Sequence, residues 1–78
     1  MKNVPTIEEI SRLIESSKLV LAIERLDELL SYHAQLGEIN KLVHALEDVN
    51  ARYPHIEAIR WRLQTVYHKL GRTGSDTE

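Results

Sequence analysis

The sequence predicts an all-α fold: four short antiparallel helices arranged as two αα-hairpins. Three observations carry this. Apolar residues recur every three or four positions along most of the chain. Gly37, Pro54 and Gly71 interrupt that pattern at intervals suited to short connections. No stretch of useful length alternates with period two, and phenylalanine is absent, so no strand is expected. Short connections then make consecutive helices antiparallel neighbours in a small helical bundle.

The first helix opens at Thr6-Ile7-Glu8-Glu9, a capping box in which Thr6 accepts from the Glu9 backbone and the Glu9 side chain reaches back. Ile7, Ile10, Leu13 and Ile14 form its apolar stripe. Ser16-Ser17 breaks the pattern and offers an N-cap for the second helix, expected over 18–34. That helix places Leu19, Ala22, Ile23, Leu26, Leu29 and Leu30 on one face. Val20 and Leu21 lie off the face, so its start is apolar nearly all round, the pattern of a helix packed on two sides. Gly37 sits where a C-terminal cap is needed.

The third helix, expected over 38–53, aligns Ile39, Leu42, Val43, Leu46, Val49 and Tyr53. Asn50 falls within this stripe, either as a buried register-setting hydrogen bond or at the frayed edge of the core. Pro54 cannot continue that helix and is expected in the first turn of the fourth. The fourth runs to about Leu70, with Ile56, Ile59, Leu63, Val66, Tyr67 and Leu70 inward and Gly71 as its stop. The expected organisation is a lead at 1–5, a four-helix domain at 6–71 and a disordered polar tail at 72–78.

Seventy-eight residues at 42% apolar content support one domain with a thin core. A core of this size supplies only about 3–5 kcal/mol. With no cysteine there is no disulfide or thiolate-bound zinc to reinforce it, which favours association with another chain. Net charge is −2, but residues 1–36 carry four basic and six acidic groups, and residues 37–72 carry six basic and four acidic. The start of the chain lacks the apolar run of a signal peptide, and Leu19 to Ile23 is too short to span a bilayer. The expectation is a cytoplasmic protein without a membrane role.

Trp61, the single tryptophan, is the most informative residue. At about 100° per residue it falls nearly opposite the core stripe of the fourth helix. A large aromatic on a polar face is a candidate binding anchor, because tryptophan and arginine dominate interface hot spots. The plainer reading is that the second helix or the tail covers it. The expected partner-binding residues are Ala58, Trp61, Arg62, Thr65, His68 and Lys69. On the second helix Leu21 and Tyr32, with Arg25 between them, form a minor row; it marks either contact with the third or fourth helix or a second, homotypic interface.

Arg60, Arg62, Lys69 and Arg72 around Trp61 also admit a nucleic-acid reading, in which cations hold phosphates and the indole stacks on a base. Solvated charges near a helix C-terminus, where cations complement the dipole, are the ordinary account of such residues. His33, His44, His55 and His68 include no i,i+4 pair for a metal. The acidic residues lie mostly on solvent faces, and there is neither a nucleophile elbow nor a glycine-rich phosphate loop. No catalytic residue, cofactor, metal or small-molecule substrate is therefore expected. The expected function is a non-catalytic adaptor or docking module that binds a partner protein or itself. A nucleic-acid-binding bundle and a structural subunit of a larger assembly are the alternatives.

The stretch from Ala58 to Gly71 resembles the first helix of a tetratricopeptide repeat, with Leu63, Tyr67 and Gly71 at that motif's spacing and Pro54 near the close of a preceding repeat. Ala22 and Leu26 resemble the small and large packing positions of a repeat's second helix. The resemblance implies tetratricopeptide-like packing, with Ala58, Trp61, Thr65, His68 and Lys69 facing a ligand. Leu13-Ile14, Lys18-Leu19, Ala22, Leu26 through Leu30 and the Arg60/Arg62 helix are similar to bacterial effector-associated adaptor domains. That likeness implies coupling of sensors to effectors through like-with-like contacts.

Overall fold

A computed structural model of the chain describes residues 4–71. Four helices follow one another: α1 (Ile7–Glu15), α2 (Leu19–Gln35), α3 (Ile39–Arg52) and α4 (Glu57–Lys69). Each packs against the next, and α1 also lies beside α3, so the antiparallel hairpins α1–α2 and α3–α4 share one core. Within the expected lead, Val4 packs against that core and Pro5 is buried. The tail expected at 72–78 lies outside the described residues.

Helical periodicity places the core. Ile10, Ala22, Leu26, Leu46, Val49 and Ile59 are fully buried, and Leu29, Leu42, Val43, Ile56 and Leu63 nearly so. Burying each larger side chain contributes about 1.5–3 kcal/mol. Leu19, Ile39 and Leu70 were expected inward and are exposed instead. All three stand at helix ends, where facing helices offer little cover. The start of α2 is likewise not enclosed on two sides: Val20 is 75% exposed and Leu21 is exposed beside it.

The helix ends show how the chain turns. Thr6 Oγ1 accepts from Glu9 N at 3.1 Å, half of the expected capping box. The Glu9 carboxylate turns away from the cap and accepts from Arg25 Nε at 3.0 Å, joining α1 to α2. Ser17 does not cap α2; it takes a left-handed conformation (φ 63) and closes α1. Ser17 N donates to Ile14 O and Lys18 N to Leu13 O, the two bonds of a Schellman motif. The N-cap of α2 is Lys18, with no side-chain bond. Gly37 and Glu38 repeat the same pair of bonds onto Ala34 and His33, with Gly37 at φ 72. Pro54 is not in the first turn of α4 either, because Pro54-His55 forms a separate turn and α4 starts only at Glu57.

Two predictions arise at these junctions. A left-handed conformation costs a non-glycine residue about 1–2 kcal/mol, and glycine gives back part of that gain through its greater freedom when unfolded. Ser17→Gly is therefore expected to stabilise the domain by about 0.5–1 kcal/mol, raising Tm by roughly 3–6 °C. Thermal melts of the two proteins check this.

The second concerns Glu38, which accepts from His33 Nδ1 at 3.1 Å and from Lys41 Nζ at 3.4 Å. The His33 hydrogen bond is the main cause that holds the Glu38 carboxyl below its ordinary pKa of 4.5, with Lys41 adding to it against desolvation. A depressed carboxylate contributes stability above its unfolded pKa and loses it as pH falls through the folded value. Glu38→Gln is thus expected to lower the urea midpoint above about pH 5. The difference should close as pH falls well below 4.5, measured by urea titration across that range.

Candidate docking surface on the last helix

α4 buries Ile59 and Leu63 and rests Val66 and Tyr67 against the core. At about 100° per residue the opposite side carries Trp61 and His68, with Thr65 and Ala58 toward α2. Trp61 is 65% exposed, so neither α2 nor any other described element covers it. Ala58 and Thr65 are partly exposed, while His68 and Lys69 are exposed. Thr65 Oγ1 donates to the Trp61 carbonyl at 2.9 Å, a local bond across one turn.

The charged residues around Trp61 divide into two groups. Arg62 donates to both oxygens of Asp27, Nε at 2.8 Å and Nη2 at 3.1 Å, and its Nη1 donates to Ala58 O at 3.0 Å. The hydrogen bonds that Asp27 accepts raise the Arg62 pKa above its ordinary value, opposed by partial burial, so the guanidinium stays charged. A bidentate pair at this partly exposed site is worth roughly 0.5–1 kcal/mol. Arg60 donates to Pro54 O at 2.7 Å and closes the α3–α4 turn. Both arginines that flank Trp61 are thus engaged within the chain. His68 and Lys69 have no ion-pair partner among the described residues.

Arg62 also links two helices, because Asp27 belongs to α2. On the other side of the molecule Tyr53 ties α3 to α1, its hydroxyl donating to Glu15 Oε2 at 2.8 Å and lying 3.4 Å from Ser11 O. A groove lined by Ile14, Ser17, Leu19, His55, Ile56, Glu57 and Ala58 runs between the α1–α2 junction and the start of α4. A second shallow concavity lies against Trp61, between Glu57, Ala58, Arg60, Arg62 and Gln64. Glu57 and Ala58 line both.

The minor row of α2 is split. Leu21 and Tyr32 are exposed, whereas Arg25 is engaged with Glu9 and Glu28, at 3.0 and 2.7 Å. Asn50 is half-buried and its Oδ1 has no hydrogen-bond partner, as is also true of Ser11 Oγ. Sequence reasoning missed the roles of Arg62 and Arg25 as internal ties between helices. A pair of opposite charges 35 residues apart carries no local signal. Among the described residues no group of three or more histidines and carboxylates is placed to hold a metal ion, and no helix is long and apolar enough to cross a membrane.

The class the fold defines is a small all-α domain of two helical hairpins. No protein-family model, curated protein or solved structure matches the chain.

Proposed function

We infer that the chain is a non-catalytic docking module that binds a protein through the outward face of α4, with Trp61 at its centre. The observation that carries this reading is the exposure of the one tryptophan on the side of α4 directly away from the core. Indole surface left in water gains by about 25 cal/mol for each Å² that a partner covers. Tryptophan is also the residue most enriched at interface hot spots. The concavities beside Trp61 and Ala58 supply relief for a partner's apolar side chains.

Two features favour docking over the alternatives. Phosphate binding needs several free cations, and Arg60 and Arg62 are both engaged within the chain, which leaves Lys69 as the one unpaired cation of that group among the described residues. Acid–base chemistry needs a titratable group in a pocket that shifts its pKa, and the only buried polar residue among those described is Ser11.

The test is quantitative co-purification from the cells that make the protein, using wild type, Trp61→Ala and His44→Ala. His44 is exposed on α3 and serves as the control. The expected result is the same protein enriched by wild type and His44→Ala and lost with Trp61→Ala. Equal enrichment by all three would contradict the reading.

A further inference from the structure

We propose that the partner is a second copy of this chain, with the Trp61 face of α4 on each copy seated over the start of α2 on the other. The proposal rests on the docking reading above and goes beyond it by naming the occupant. Two side chains stand out among the large apolar groups in water: Val20 at 75% and Trp61 at 65% exposure. One is a small aliphatic knob and the other a broad aromatic plate, and they lie on helices that the Arg62–Asp27 ion pair joins. In a two-fold pair of this kind each Trp61 meets the partner copy's Val20. Two-fold interfaces of this self-complementary kind are the commonest in soluble homo-oligomers.

Charge points the same way. Across residues 4–36, three basic groups (Arg12, Lys18, Arg25) face six acidic ones (Glu8, Glu9, Glu15, Glu24, Asp27, Glu28), a balance of 3 − 6 = −3. Across residues 37–71, five basic groups (Lys41, Arg52, Arg60, Arg62, Lys69) face four acidic ones (Glu38, Glu47, Asp48, Glu57), a balance of 5 − 4 = +1. Within the helices themselves, α2 sets Arg25 against Glu24, Asp27 and Glu28, and α4 sets Arg60, Arg62 and Lys69 against Glu57, so placing α4 over a second α2 joins helices of opposite sign. The internal pairs leave suitable groups over: Asp27 and Glu28 are each held by an arginine, whereas Glu24, one turn on from Val20, has no ion-pair partner among the described residues. Lys69 on α4 is its unpaired counterpart.

Size permits the contact. The molecule is a slab with extents of 38 × 30 × 15 Å. Its broad side exceeds the roughly 800 Å² that each partner of a standard interface gives up. A chain whose own core is thin gains most from such a cover.

Because the chain has no cysteine, engineered thiols report the geometry without interference. Val20→Cys and Thr65→Cys proteins, distinguishable by mass, are mixed and oxidised, with His44→Cys as control. Thr65→Cys keeps Trp61 in place. The expected product is the mixed 20–65 disulfide, in at least about tenfold excess over 65–65, 20–20 and any product of 44. Sedimentation of the wild type should show a monomer–dimer equilibrium that weakens with salt. Trp61→Ala should abolish that equilibrium, with circular dichroism confirming that the variant is folded.

A predominant 65–65 disulfide, or a monomer at every concentration up to millimolar, would overturn the proposal. The docking reading fails separately. If the wild type stays monomeric but still captures another protein in a Trp61-dependent way, the second copy is wrong and docking stands. If Trp61→Ala changes neither self-association nor capture, docking itself is wrong.

Discussion

Leu26→Ala is expected to remove most of the domain's stability at 25 °C. Leu26 is fully buried in α2, the helix that packs against both α1 and α3, so its loss opens a cavity that both hairpins share. Truncating such a leucine costs about 3 kcal/mol or more. That equals most of the net stability of roughly 3–5 kcal/mol that a domain this small sustains. No disulfide is present to hold the remainder together. Circular dichroism should show a weakened helical signal in buffer, and urea titration should show unfolding that begins at the lowest denaturant concentrations. Leu36→Ala provides the contrast: Leu36 is more than half exposed at the end of α2, so its truncation should shift stability by at most about 0.5 kcal/mol. A sharp transition for Leu26→Ala with a midpoint near that of wild type would mean the core is not built as described.

The second large effect is a separation of binding from stability at Trp61. An exposed side chain that touches no core should change folding by at most about 0.5 kcal/mol when truncated. An aromatic at the centre of an interface costs about 2 kcal/mol or more, roughly thirtyfold in affinity. Trp61→Ala should therefore melt like wild type at low concentration while Kd for the partner rises at least about thirtyfold. Calorimetric titration beside a thermal melt reads both numbers. A loss of stability as large as the loss of binding would place Trp61 in the core account and not in the docking account.

Most of the fold could be read from the residues because it depends on local pattern. The stripes through Ile10, Leu26, Leu46 and Ile59 fell where the 3.6-residue period put them, and Gly37 and Gly71 stop helices by adopting a backbone conformation that other residues avoid. The departures have physical reasons. Ser17 reads as an N-cap because serine favours that position, yet it lies one residue too early and serves the helix before it. Pro54 suits a first helical turn, but the chain needs a separate turn to bring Ile56 into the core before α4 begins. Leu19, Ile39 and Leu70 obey the period and are still exposed, because periodicity gives direction around a helix and not the reach of the facing helix.

The candidate surface was legible in part for the same reason. The outward direction of Trp61 follows from its angle on α4, and its exposure agrees. Arg62 was expected among the partner-binding residues, and it is bound to Asp27 of α2. Such pairs depend on which helices share a layer, and that order is decided by tertiary packing. The surface left for a partner is therefore less basic and more apolar than the composition of α4 alone suggests.

The most direct measurement of the docking account is site-specific photo-crosslinking in the cells that make the protein. A benzophenone side chain is placed at Thr65, beside Trp61 on the outward face of α4, and separately at His44 on the exposed side of α3. Docking through α4 predicts a discrete protein adduct from position 65, lost when Trp61→Ala is added, and none from position 44. No adduct at position 65, one that persists without Trp61, or one to nucleic acid alone would contradict it.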